Sequence, residues 1–256
     1  MYRVTIRFYE ELNDFLPPQR RKRDIEVTFP GRRSVKDLIE SFCVPHVEVD
    51  LVLVNGASVD FSYIVADGDR ISVYPVFESF DIAGLTRLRP RPLRETRFVL
   101  DVHLAKLARR LRLLGFDVDY APGRHDAELA AIAASEGRVL LSRDRQLMMR
   151  RIVARGLYVR STDPEQQVRE VLDRLDLWGS CRPFTRCIEC NGGIAAMDEN
   201  EAEAAGDDIP RGVREWCREY YRCLGCGRIY WKGNHYEKLT RRVEGILGPR
   251  WMTAIS

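Results

Sequence analysis

The sequence predicts an α/β protein assembled from three segments, and three observations predict it. The first 80 or so residues read as strand, strand, helix, then strands. From Arg97 onward, apolar strand-like runs alternate with amphipathic helices. Four of the seven cysteines fall in the last third as two CxxC pairs. A chain of 256 residues has room for one large domain or two to three small ones, and we divide it at 1–80, 95–178 and 179–256, with 81–94 as a linker. Hydrophobic residues make up 45% and charged residues 31%, a globular composition that excludes extended disorder. The net charge of +3 is too small to indicate nucleic-acid binding by itself. The basic residues are 36 Arg and 5 Lys; guanidinium suits phosphate geometry, but a GC-rich genome gives the same bias, and composition does not separate the two. The longest apolar run, 129–134, is far short of the roughly 18 residues of a membrane span. The opening MYRVTIRFYEEL is charged throughout and lacks a signal-peptide core. A soluble cytoplasmic protein with no membrane partner is expected.

In YRVTIRFYEEL, Tyr2, Val4, Ile6 and Phe8 alternate with polar neighbours, the period of a half-buried strand. DIEVTFP repeats the alternation through Ile25, Val27 and Phe29. Ser34 is placed to cap a helix over VKDLIESF, whose Val35, Leu38, Ile39 and Phe42 fall on one face. LVLVNG and DGDRISVYP follow as strands, with turns at Asn55-Gly56 and Asp67-Gly68. This order resembles the ubiquitin-like β-grasp fold, in particular the small sulfur-carrier proteins. Those carriers need a free C-terminal Gly-Gly for adenylation, whereas here the chain runs on through PVFESFDI without one. A docking or substrate-guiding module, and with it a protein partner, is the better expectation.

The linker AGLTRLRPRPLR mixes prolines with arginines and lacks periodicity, so it reads as a solvated tether or as a basic strip against RNA. Beyond it, RFVLD is a strand. HLAKLARRLRLLG is a helix with Leu104, Leu107, Ala108, Leu111 and Leu114 inward and Gly115 as its stop. FDVDYA is a second strand, on which Asp117 and Asp119 are expected to face solvent. A helix beginning at Asp126 closes at Gly137, and RVLLS is a third strand. RQLMMRRIVARG reads as a helix ending at Gly156, and LYVR as a fourth strand. TDPEQQVREVLDRL starts a helix with Asp163 as cap and Pro164 at the first position. Such alternation implies a parallel sheet covered by helices, with ligands collecting outside the carboxyl ends of its strands. Asp101 and Asp144 both lie at those ends. Further on, MDENEAEAAGDD reads as an acidic, flexible insert.

A strand bound for the interior that ends in a carboxylate needs a partner for that charge. If Asp101, Asp126 and Asp144 converge, a pair about 4 Å apart repels by about 4 kcal/mol at an effective dielectric near 20, so a cation is expected among them. An all-oxygen set favours Mg²⁺ or Mn²⁺ over zinc. Such an ion orients a water, lowers its pKa and neutralises charge building on a phosphodiester. Arg143 and Arg145 flank the site, and Lys106 lies one helical turn beyond Asp101, all three candidates to hold substrate phosphate. Helix capping competes for Asp144 and for Asp126, and Glu128 is the substitute ligand if Asp126 only caps. Asp163 matches a cap-plus-proline signature and is left out.

RCIECNGG and RCLGCGRIYW each hold a CxxC followed by small, turn-forming residues. Four thiolates from Cys187, Cys190, Cys223 and Cys226 meet zinc's tetrahedral preference with no open position, so a structural site is expected, redox dithiols being the competing reading. The insert accounts for the long spacing between the pairs. Cys43, Cys181 and Cys217 read as ordinary buried or partly buried thiols. Beside the second pair, Tyr230, Trp231, His235 and Tyr236 with Arg228 and Lys232 could stack bases and contact phosphates, or pack against a neighbouring domain. His235 is a candidate substrate contact.

In combination, FVLDxxLxKLARxLRLLGFD, DxEL, EGRVLLSRDRxL, CxxCNG and CxxCGRxYWxGNH resemble the Mut-7-type C-terminal RNase family. The resemblance covers essentially the whole chain. It implies a PIN-like parallel α/β/α sandwich fused to a zinc ribbon, with an N-terminal ubiquitin-like domain in bacterial members. It further implies metal-dependent ribonuclease activity, acids at Asp101, Asp126 and Asp144, and zinc on the four cysteines. His103 departs from the family pattern, and the fourth acid common in PIN-like nucleases is not assigned. The expected function is therefore hydrolysis of RNA, tRNA or rRNA among the candidates. The alternatives are a catalytically inactive RNA- or ribosome-associated binding protein and a β-grasp adaptor for a partner enzyme.

Overall fold

The structure is a computed structural model and describes residues 1–75, 88 and 96–248. In chain order the elements are β1 (Tyr2–Phe8), β2 (Ile25–Phe29), α1 (Val35–Glu40), β3 (Val49–Val54), β4 (Ala57–Val59), β5 (Arg70–Pro75) and β6 (Arg97–Leu100). There follow α2 (Ala105–Leu113), β7 (Asp117–Asp119), α3 (Asp126–Glu136), β8 (Val139–Ser142), α4 (Arg145–Met148), β9 (Gly156–Tyr158) and α5 (Pro164–Arg174). The last third holds β10 (Ile194–Ala196), α6 (Glu199–Ala204), α7 (Arg211–Arg214), β11 (Tyr220–Cys223), β12 (Ile229–Trp231) and α8 (Asn234–Leu247). Most of the linker and the run-on through PVFESFDI lie outside the described residues. The chain forms two compact units. One joins Met1–His103 to Arg124–Arg160, the other Leu104–Gly123 to the chain from Ser161 onward.

In the first unit, β1 lies between β2 and β5, antiparallel to β2 (Ile6 opposite Ile25) and parallel to β5 (Ile6 opposite Ile71), and the sheet continues through β3 to β4. With α1 over one face this is the expected β-grasp. The period-2 pattern of β1 sends Val4, Ile6 and Phe8 inward against Leu38 and Ile39 of α1. Ser34 caps α1, its hydroxyl oxygen accepting the Asp37 N–H at 3.1 Å. Asn55 and Gly56, both at positive φ (51° and 85°), make the two-residue turn between β3 and β4.

The same unit holds β6, β8 and β9, parallel, with β8 central. These strands are buried on both faces, which is why they read as unbroken apolar runs: Phe98, Val99, Leu100, Leu140 and Leu141 are fully buried. α3 covers β6 and β8 and stops at Gly137, left-handed at φ 64°. The helix expected to run from Arg145 to Gly156 is cut to the single turn of α4. Leu147, Met148 and Val153 share one core cluster, but at 100° per residue Val153 would leave the face that Leu147 and Met148 occupy. The chain turns instead at Arg150, whose carbonyl accepts the Val153 N–H at 3.0 Å. Gly156 then opens β9, where a Cβ would sit 2.9 Å from Met148 Cε and 3.1 Å from the Leu140 carbonyl.

The β-grasp is built into this parallel sheet. Glu48, fully buried, accepts the Tyr158 N–H of β9 at 2.5 Å and an Arg160 N–H at 3.1 Å. His46 bridges Glu40 (2.7 Å) and the Val153 carbonyl (2.9 Å), and Val47 joins the core beneath β8. Phe15 meets the Tyr158 ring edge-on at 5.3 Å.

In the second unit, α2 buries Leu107, Ala108 and Leu111 as expected and packs on α5, which α8 also contacts. Asp163 caps α5, accepting from Glu165 and Gln166 N–H, both at 2.9 Å. Gly115, φ 93°, is required twice over: a Cβ there would lie 2.1 Å from the Arg182 carbonyl. The strands β10, β11 and β12 form an antiparallel sheet with Ile194 opposite Cys223 and Tyr220 opposite Trp231. The insert expected to be flexible is α6 instead, started by a reciprocal cap. Asp198 accepts the Glu201 N–H (2.8 Å) and Glu201 accepts the Asp198 N–H (2.9 Å). Among the described residues no helix is long and apolar enough to cross a membrane.

Candidate functional site

Asp101 leaves the end of β6 at 4% exposure. Its Oδ1 accepts the His103 N–H at 2.8 Å, while Oδ2 accepts the Ser142 hydroxyl and the Arg143 N–H, the latter at 3.1 Å. Ser142, the last residue of β8 and fully buried, also accepts the Asp144 N–H at 2.8 Å. One hydroxyl therefore ties the two strand ends together. Asp144 is also the cap of α4, its Oδ1 accepting the Gln146 and Leu147 N–H at 2.7 and 3.2 Å; its Oδ2 has no hydrogen-bond partner among the described residues. Capping and a ligand role are thus compatible in Asp144, one oxygen for each.

Asp126 is not a cap. It is the first residue of α3, with His125 in the capping position, and its carboxylate has no hydrogen-bond or ion-pair partner among the described residues. Glu128 is exposed and paired with Arg124 at 3.2 Å. The three aspartates line one cavity of about 850 Å³, together with His103, Arg124, Arg143, Arg145 and Tyr158 of the same unit, and Glu128 is not part of that lining. The three are not gathered into a closed ligand set, since among the described residues only the four cysteines bring their donor atoms within 4.8 Å of one another. The chemistry of the lining still fits a hard divalent cation. It offers only carboxylate oxygens as charged donors, with Asp144 Oδ2 and both Asp126 oxygens uncommitted.

The flanking cations differ. Arg143 donates through Nη1 to the carbonyls of Val159 (3.0 Å) and Arg160 (2.6 Å), so its guanidinium fastens the chain beyond β9. Arg145 sits with its guanidinium carbon 5.0 Å from the Phe15 ring centre and 5.6 Å from that of Tyr158, a position that holds the charge at the cavity wall. Lys106 is exposed on α2 in the second unit and does not line this cavity. Ser142 was missed from the sequence, although a serine closing an otherwise apolar strand is itself a signal. Cys43, expected to be at least partly buried, is exposed and contributes to the cavity wall.

The cysteine cluster is assembled within the second unit. Sγ–Sγ distances are 3.8 Å for Cys187–Cys226 and 3.3 Å for Cys190–Cys223, against ~3.8 Å between sulfurs in a tetrahedral zinc–thiolate site with ~2.3 Å bonds. Backbone N–H groups of Gly192 and Gly225 approach Cys190 and Cys223 at 3.4 and 3.3 Å. Glycine is needed at the first of these, since a Cβ on Gly192 would lie 2.9 Å from Cys223 Sγ. Burial raises the Cys187 thiol, but the Cys190 N–H and the Tyr230 hydroxyl outweigh it and bring it down to about 6. Burial and the neighbouring thiols push Cys190 up to about 12. One thiolate thus forms readily and the next is opposed, the condition that a bound cation relieves. Asn191, left-handed at φ 70°, docks this knuckle. Its side-chain amide donates to Asp117 (2.9 Å) and its side-chain oxygen accepts the Val118 N–H (2.9 Å). Asp117 is therefore engaged here, not solvent-facing. Buried Arg112 completes the joint by donating to the carbonyls of Val118 and Glu189. His235 stands at the start of α8, lining a cavity of the second unit.

Fold and cluster define an α/β protein with a β-grasp segment and a ribbon bearing four gathered cysteines. The Mut7-C RNAse domain model matches residues 96–243 and the Mut7-C ubiquitin model residues 1–81. The chain belongs to the Mut7-C RNAse domain family, which points to a nuclease-type function. Comparison with curated proteins and with solved structures finds no match.

Proposed function

We propose that this protein is a ribonuclease dependent on Mg²⁺ or Mn²⁺, with Asp101, Asp126 and Asp144 as its acids and RNA, tRNA or rRNA among the candidates, as substrate. The observation that carries the reading is that these carboxylates line a single cavity at the carboxyl ends of β6 and β8. Family membership supports the reaction class. Asp101 and Asp144 would hold the cation from positions set by backbone N–H groups, and Asp126, unpartnered, would turn to it from α3. The bound ion would lower the pKa of a water and neutralise charge on the phosphodiester. Arg145 would bind the scissile phosphate, the Arg143 side chain would act by bracing the cavity wall, and Lys106 and His235 would contact the strand elsewhere. The four cysteines would hold zinc in a purely structural role. We assign the chain to the cytoplasm, where thiols stay reduced, divide it at 1–80, 95–178 and 179–256, and give the β-grasp a protein partner.

The test is cleavage of labelled RNA by purified protein with Mg²⁺ or Mn²⁺, beside Asp101→Asn and Asp144→Asn. Loss of cleavage in both variants is expected. Equal cleavage by variants and wild type would overturn the assignment. Binding without cleavage in any metal would favour the second reading, a catalytically inactive RNA- or ribosome-associated protein. That reading draws on the full engagement of both Asp101 oxygens.

A further inference from the structure

The second unit contains a cavity of about 460 Å³ between the ribbon sheet and the start of α8, a volume ordinary for a small-molecule site. Phe184, Trp231 and Tyr236 supply its aromatic walls, with the Phe184 and Tyr236 rings 4.7 Å apart. The lining is cationic on balance, with Arg109, Arg186, Arg228 and Lys232 against Glu189. Arg109 and Lys232 lie there already paired with Glu189 and Glu219, both at 2.6 Å. Arg228 and His235 also line it, and their side chains have no hydrogen-bond or ion-pair partner among the described residues. The same is true of the Trp231 indole N–H. Gly233 keeps the approach to that ring open, since a Cβ there would lie 3.2 Å from Trp231 Nε1.

Flat π-faces behind an uncommitted guanidinium match one ligand chemistry: a nucleobase carrying a phosphate. Base–aromatic stacking accepts any base, and a guanidinium at the rim meets the backbone anion. A base paired in a duplex cannot enter such a cavity, because its faces are covered by its neighbours. We infer that this cavity captures one unstacked nucleotide of single-stranded RNA, the base against Trp231 and Tyr236 and the phosphate at Arg228 and His235. The inference deepens the ribonuclease reading and rests on RNA being the substrate. Its consequence is that the ribbon selects single strands over duplexes.

The experiment uses full-length protein carrying Asp101→Asn and Asp144→Asn, so that RNA stays intact. A fluorescein-labelled RNA of about 20 nucleotides and its duplex, longer than the ~4–16 nucleotides of a single-strand site, are titrated by anisotropy. The single strand is expected to bind more tightly than the duplex. Tyr236→Ala and Arg228→Ala should each weaken single-strand binding about tenfold and leave duplex binding unchanged, while Tyr236→Phe retains it. Adenosine monophosphate should quench tryptophan fluorescence in the parent and not in Trp231→Phe. Zinc content equal to the parent's certifies that each variant is folded. Single-strand affinity unmoved in Tyr236→Ala with full zinc overturns the proposal. So does a shift from dimer to monomer in that variant, which would make a second copy of the chain the occupant. Failure of the ribonuclease reading looks different: wild type that never cleaves, with the Tyr236→Ala binding defect intact.

Discussion

The cysteine cluster and the aspartate cavity were both legible as metal sites by residue type, yet the fold treats them differently. The four sulfurs lie within 4.8 Å of one another. The three carboxylates share a cavity without closing into a set. The difference follows from what holds each donor. Each CxxC knuckle is a local turn that brings two sulfurs together whatever else happens, and the pairing of β10 with β11 brings the knuckles together. The carboxylates sit on separate segments: backbone N–H groups hold Asp101 and Asp144, the Ser142 hydroxyl links the two strand ends, and Asp126 has no such partner among the described residues. The fold completes the cysteine set and leaves the carboxylates spaced around a cavity.

Four experiments would break or sharpen this contrast. The largest effect is expected from Cys223→Ser. With three thiolates left, metal binding and much of the about 10–16 kcal/mol it contributes to folding should be lost, read as metal per chain and as new protease cleavage between residues 180 and 248. Stoichiometric metal in that variant would show that the ribbon does not depend on closure. Next, Glu48→Ala should destabilise the first unit by about 2–3 kcal/mol, because it takes the acceptor from the Tyr158 N–H and one of two carboxylate partners from half-buried Arg160, which keeps Asp14; denaturant unfolding measures it, and an unchanged midpoint would mean that the β-grasp is a detachable neighbour. Third, Asp101→Asn should cost about 1–3 kcal/mol of stability through its lost acceptors. Asp126→Asn, with no partner to lose, should cost under about 0.5 kcal/mol yet reduce cleavage by about 10–100-fold. If Asp126→Asn cleaves like wild type, the cavity has two acids and not three. Last, burial holds the Cys181 thiol up at about 11, so at pH 8 almost none of it is thiolate. In metal-loaded protein iodoacetamide should label exposed Cys43 alone, by peptide mass, with no change in stability; equal labelling of Cys181 would mean that the second unit opens readily.

Where the sequence was informative, local chemistry and global fold agreed. The alternation of Val4, Ile6 and Phe8, the Ser34 cap, the Asn55-Gly56 turn and the Gly137 stop each state a backbone geometry that tertiary contacts did not overrule. The failures have a common cause. The helix expected beyond Arg145 has a plausible period, but only the third dimension reveals that Val153 must turn back into the core. Asp117 looked exposed because its partner, Asn191, lies far along the chain. Ser142 was passed over because an interior serine declares itself only once Asp101 and Asp144 are seen on either side of it. The insert is a different matter. Its Asp198 and Glu201 spell a reciprocal cap, and its acidity concealed a signal that was present.

The Glu48 joint has a consequence for how this gene could be cut or fused. β9 runs along β8 on one side, and on the other its Tyr158 N–H is answered by a carboxylate from the opening segment. A truncated chain starting at residue 96 would bare that strand margin, the kind of exposed edge that recruits another chain. The ubiquitin-like segment would then be acting as a built-in guard against self-association. Homologous halves expressed separately should be tried together before either is judged insoluble.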